Sequence, residues 1–139
     1  MKNLKVAVAV LALSIVAAGC AKQETKKTEA AKLQSVYFDF DRSDIKPEYQ
    51  AALKGNATWI NNNSKSKVEV QGNCDERGTS EYNLALGDRR AKSAQGYLVN
   101  LGVDRSKLST VSFGKEKPSC TEHNESCWWK NRRDDFVSK

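Results

Sequence analysis

Lys67-Val68-Glu69-Val70-Gln71-Gly72 alternates apolar and polar side chains and stops at a glycine, the pattern of a strand with one buried face. The next seven residues, Asn73-Cys74-Asp75-Glu76-Arg77-Gly78-Thr79, are polar and read as a loop. From about Ser80 to Leu101 the spacing of Ala91, Ala94, Leu98 and Leu101 puts one apolar stripe along a helix, and Gly102 supplies its C-terminal cap. Strand, loop and long helix in immediate succession are half of an α/β unit.

Upstream, Ser35-Val36-Tyr37-Phe38 is β-rich and predicts a first strand. Asp39 to Lys46 is turn-forming. Pro47 suits the first position of a helix that carries Tyr49, Leu53, Ala57 and Ile60 and stops in Asn61 to Ser66. Downstream, Leu108 to Phe113 predicts a third strand, followed by a cysteine-bearing loop and a last strand near Arg133 to Val137. The expected fold is an α/β (α+β) two-layer sandwich, a βαβαβ-β mixed sheet with helices packed on one face.

The first twenty residues have a different character. Lys2 and Lys5 precede an apolar run from Val6 to Ala18, too short for the ~20 residues a spanning helix needs. That is the pattern of a secretory signal, here 1–19. Ala17-Ala18-Gly19-Cys20 resembles the lipobox of bacterial lipoproteins, which implies a diacylglycerol and an acyl chain on Cys20. Several chains anchor where one would not. Ala21 after the cysteine fits outer-membrane sorting. Residues 20–32 are the lipidated cysteine and a solvated tether without large apolar side chains, reaching at most ~40 Å. Residues 33–139 form the single domain.

A net charge of +6 raises nucleic acid as a partner. Two of those charges lie in the signal and two in the tether, which leaves the domain with 17 basic and 15 acidic residues. No helix of clustered Arg and Lys and no stacking strand is present, so no nucleic-acid partner is expected. One histidine leaves a multi-histidine metal or catalytic centre without ligands. Neither an enzyme nor a resident cofactor is expected.

Asp75 sits where a strand ends and Arg90 on the helix that follows. An aspartate and an arginine converging on one pocket can hold a zwitterion, the carboxylate on Arg and the ammonium on Asp. Loose surface pairs among Asp75, Glu76, Arg77 and Arg90 fit the spacing as well.

Val36-Tyr37-Phe38-Asp39-Phe40-Asp41, Gly72 to Thr79, Glu81-Tyr82-Asn83-Leu84, Leu86-Gly87, Arg89-Arg90-Ala91, Ser112 to Pro118 and Asn131-Arg132-Arg133 together resemble the OmpA-like peptidoglycan-binding domain family, in particular its lipoprotein members. The resemblance implies a pocket for the diaminopimelate of the peptidoglycan stem peptide. It places the amine and carboxylate on Asp75 and Arg90, lines the pocket with Phe40, Asp41 and Leu86, and gives Asn131 and Arg132 a bracing role. Many relatives carry His where this chain has Asn73. The resemblance also implies a role in anchoring outer membrane to wall, with TolB and other Tol proteins as partners, in envelope integrity and division. A wall-binding lipoprotein outside the Tol system is the alternative. A wall-cleaving enzyme with a catalytic carboxylate is the competing class, and release of muropeptides from sacculi separates it from a binding module.

Cys120 and Cys127 flank a six-residue segment and, in an oxidising compartment, read as a disulfide. Zinc on Cys120, His123 and Cys127 is the competing reading and falls one ligand short. Cys74 is then left over as a small buried residue. Trp128 and Trp129 cap the core or face a partner.

Overall fold

The computed structural model describes residues 32–139. The signal 1–19, Cys20 and the tether up to residue 31 lie outside the described residues. The elements run β1 (Val36–Tyr37), α1 (Gln50–Asn62), β2 (Val68–Asn73), α2 (Ser80–Asn100), β3 (Leu108–Gly114), α3 (Glu125–Asn131) and β4 (Arg133–Ser138). Single 3-10 turns lie at Pro47–Tyr49 and Arg105–Lys107.

The strands form one mixed sheet in the order β1-β4-β2-β3. β2 and β3 are parallel with α2 as their crossover, and β4 returns antiparallel between β2 and β1. The mixed-sheet α/β reading holds. β4 takes an interior place, which alternation within one strand does not encode.

Side-chain alternation sets the layers. Val68 and Val70 of β2 and Phe136 of β4 point into one apolar cluster with Val36 of β1, Leu53, Ala57 and Ile60 of α1, and Ala91, Ala94 and Leu98 of α2. The Val, Leu, Ile and Phe side chains among them contribute about 1.5–3 kcal/mol each on burial. Asn56 of α1 is also buried, and its amide closes two hydrogen bonds of 2.8 Å with the backbone of Gln34. That pair docks the incoming chain on α1.

α2 is capped at both ends. The Thr79 hydroxyl accepts the Tyr82 N–H at 3.1 Å. Gly102, at φ 94°, closes the other end, with Gly102 N–H on Val99 O and Val103 N–H on Leu98 O. Midway, α2 lies flush on β2: a Cβ at Gly72 would stand 1.9 Å from the Gly87 carbonyl oxygen. This close approach brings Arg90, almost one turn further along, under the loop that follows β2.

Two local readings need correction. Pro47 opens a 3-10 turn rather than the α-helix itself, which starts at Gln50. The cysteine-bearing loop contains the short helix α3, whose seven residues are too few for a periodic signal. Glu125 in its first turn and Lys130 in its last complement the helix dipole.

Candidate functional site

The loop between β2 and α2 is built around Asp75. Its carboxylate Oδ1 accepts the backbone N–H of Arg77 at 3.0 Å, an Asx turn that folds the chain back on itself. The turn returns the Arg77 side chain to the same carboxylate, Nε on Oδ1 at 3.1 Å and Nη2 on Oδ2 at 2.7 Å. Arg132 adds Nη1 at 3.4 Å from Oδ2. Asp75 is 3% exposed. Burial acts to raise its carboxyl, but the Arg77 and Arg132 contacts outweigh that and hold it below the usual aspartate value.

Arg90 is fully buried and makes no ion pair within the described residues. Its guanidinium donates to three backbone carbonyls: Arg42 at 2.7 Å, Asn73 at 2.9 Å and Asp39 at 3.1 Å. It thereby ties the β1–α1 connection to the end of β2. Burial lowers its pKa from the ordinary arginine value.

These two residues share a pocket of about 200 Å³, a volume matched to one amino-acid-sized group. Phe40, Asp41 and Leu86 line it, so all five positions named from the sequence meet there. The remaining wall comes from Cys74, Arg77, Gly78, Tyr82 and Asn83. Asp41 has a positive φ of 56°, and its carboxylate accepts the Tyr82 hydroxyl. Asn83 donates to the carbonyls of Arg77 and Thr79 at 2.8 and 3.0 Å, which fixes the loop.

Arg77, which the sequence places only among possible loose surface pairs, is built into the wall. Its guanidinium lies 3.8 Å from the Phe40 ring centroid and 4.2 Å from that of Trp128. The Asp-x-Arg spacing of an Asx turn is the signal that points to it. Trp128 takes neither of the two alternatives, for it leans on this wall and donates its indole N–H to Glu76 at 2.8 Å.

Asn131 and Arg132 stand behind the pocket. The Asn131 amide accepts the N–H groups of Ser119 and Cys120 and donates to the Cys120 carbonyl at 2.7 Å. Arg132 reaches the Phe38 carbonyl at 3.0 Å, Asp75, and the Glu125 carboxylate at 2.5 Å. Burial acts to lower the Arg132 pKa; contact with Glu125 and then Asp75 leaves it raised.

Cys120 and Cys127 are joined in a disulfide. The zinc alternative loses both thiolates, and His123 Nδ1 lies 2.7 Å from Glu76 instead. Among the described residues no group of three or more His, Cys, Asp or Glu is placed to hold a metal. Cys74 is buried, its thiol donates to the Asn83 carbonyl, and burial pushes its pKa up to about 11. It is a packed thiol, not a nucleophile at neutral pH.

Asp134 of β4 is the polar group that the pattern does not announce. It is fully buried beside the Arg90 cluster, opposite Val36 and Gly72, and neither carboxylate oxygen has a hydrogen-bond partner among the described residues. Burial raises its pKa well above the ordinary aspartate value.

The model of the OmpA family matches residues 37–132, and the chain belongs to that family. Within it, the chain is 51% identical over 102 residues to a peptidoglycan-associated lipoprotein of Haemophilus influenzae, covering 73% of this chain and 67% of that protein. A peptidoglycan-associated lipoprotein of Pseudomonas aeruginosa is 48% identical over 101 residues, and the match spans 73% of this chain and 60% of the relative. The crystal structure of the peptidoglycan-associated lipoprotein from Burkholderia pseudomallei superposes with a TM-score of 0.74 at 46% identity, covering 76% of this chain and 90% of that one. The C-terminal domain of Helicobacter pylori MotB shares the fold at 19% identity and a TM-score of 0.69.

Proposed function

We propose that the pocket binds the diaminopimelate side chain of peptidoglycan stem peptides and that the protein anchors the outer membrane to the wall without turnover. The observation that carries this reading is one amino-acid-sized pocket holding a buried aspartate and a buried arginine. Diaminopimelate ends in an ammonium and a carboxylate on one carbon, the pair that these two groups complement. The kinship with peptidoglycan-associated lipoproteins supports the same polymer.

The ammonium takes a lone pair of Asp75 now held by Arg77. That guanidinium keeps its place between Phe40 and Trp128 and has the Glu125 carboxylate 3.8 Å away. The ligand carboxylate takes the Arg90 N–H groups that the backbone carbonyls leave over. A single site of this size binds at about micromolar strength or weaker, and many lipid-anchored copies on a repeating polymer hold collectively.

Lipidation at Cys20 sets the location at the periplasmic face of the outer membrane. In this reading the acyl chains supply the anchor. Among the described residues no helix is long and apolar enough to cross a membrane. TolB and the other Tol proteins are the partners of this reading, in envelope integrity and division. Co-sedimentation with purified sacculi tests it: wild type pellets, and Asp75→Asn stays in the supernatant with its fold intact. Equal pelleting of both removes Asp75 from the site.

A further inference from the structure

Trp129 is 43% exposed on α3, directly after Trp128, which leans on Arg77 at the pocket wall. One residue of helix turns the side chain by about 100°, so the two indoles face different surfaces of the same short helix. Trp129 packs on Tyr37 of β1 at 5.4 Å between ring centroids, and Tyr37 packs on Tyr49 at 5.8 Å. The tilted contacts hold the exposed indole in one orientation, so little freedom is lost when a ligand covers it. Its indole N–H makes no hydrogen bond among the described residues, whereas that of Trp128 is committed to Glu76.

The charges beside it are basic. Lys130 stands loosely over the Trp129 ring, its Nζ 5.8 Å from the centroid, and makes no ion pair among the described residues. Lys46 stands over Tyr49 but is already engaged by Asp39 and Glu48 at 3.1 Å each. A fixed aromatic face with a free donor at its edge suits the apolar face and hydroxyls of a pyranose ring. The spare cation suits a carboxylate next to that ring.

We propose that Trp129, held by Tyr37 and Tyr49, stacks on a sugar ring of the wall glycan, a second subsite beside the peptide pocket. This rests on the reading of the pocket as a stem-peptide site. The bound end of a diaminopimelate is separated from its sugar by its own carbon chain, two further residues and a lactyl link, about 15–20 Å when extended. That reach is enough to pass around a helix about 10–12 Å across with its side chains. The glutamate carboxylate of the stem would pass Lys130.

The test uses the full lipoprotein in detergent and three probes: the free tripeptide Ala-Glu-diaminopimelate, the same tripeptide on its GlcNAc-MurNAc disaccharide, and a β-1,4-linked GlcNAc tetrasaccharide. Wild type should bind the disaccharide-tripeptide about fivefold to tenfold tighter than the free tripeptide, the scale of one aromatic contact. Trp129→Ala should equalise the two without changing affinity for the free tripeptide, which also reports an intact fold. Trp129→Phe should keep most of the preference. The tetrasaccharide should quench Trp129 fluorescence in wild type and in Asp75→Asn alike, so failure of the peptide pocket is read separately from failure of the glycan subsite. An unchanged preference in Trp129→Ala overturns the proposal. So does Trp129 burial by anionic phospholipid vesicles with no response to the tetrasaccharide.

Discussion

Arg77 grips both oxygens of the Asp75 carboxylate while its own guanidinium is stacked between Phe40 and Trp128. The Asx turn makes this geometry local, and the stack makes it tertiary. The carboxyl titrates below its ordinary value in the folded chain, so its contribution to stability is full above the ordinary aspartate value and fades as pH falls through the folded one. Asp75→Asn should cost about 2–4 kcal/mol at pH 7, and the gap to wild type should close as pH drops below 4. Denaturant melts from pH 7 to pH 3 measure both.

Asp134 has the opposite sign. Its folded value is raised, so the unfolded chain ionises first and wild-type stability falls as pH rises above the ordinary aspartate value. Asp134→Val, which puts a β-branched apolar residue on the buried face of β4, should stabilise the domain by about 1–4 kcal/mol at neutral pH. The advantage should vanish toward pH 3. A variant less stable than wild type at pH 7 would show that the carboxylate is held by more than its surroundings reveal.

The contact between Gly72 and Gly87 leaves no room for a side chain. Gly72→Ala should cost at least about 3 kcal/mol or prevent folding, because the methyl meets backbone rather than a movable side chain. Gly96→Ala is the matched control: nothing lies within 4 Å, and the change should stabilise α2 by about 0.5–1 kcal/mol. Thermal melts of the two variants should move in opposite directions.

The disulfide Cys120–Cys127 closes a short loop whose backbone Asn131 grips. Replacing both cysteines by serine should cost about 2–3 kcal/mol, the loop-closure entropy for so short a segment. Hydrogen exchange should rise first at Ser119 and Cys120, where the Asn131 bonds lie, and not in β2.

Much of this was legible from residues. Val68 and Val70 announced β2 because one face is buried; the stripe through Ala91, Ala94 and Leu98 announced α2 because one side packs on the sheet. α3 escaped because seven residues span only two turns, and β4's interior position escaped because it depends on pairing with β1 and β2 across the sequence. Asp75 and Arg90 were visible as charges in an informative place. That Arg90 is anchored by three carbonyls, and that Arg77 instead of Arg90 meets Asp75, follows from turn geometry and burial that charge patterns do not carry.

The most direct test is to change one group on the ligand and leave the protein alone. Isothermal titration of the full lipoprotein should show binding of Ala-Glu-diaminopimelate and at least tenfold weaker binding of Ala-Glu-lysine, which keeps the side-chain ammonium and lacks its neighbouring carboxylate. Equal affinity for the two peptides would contradict the account, because Arg90 would then recognise nothing on the ligand.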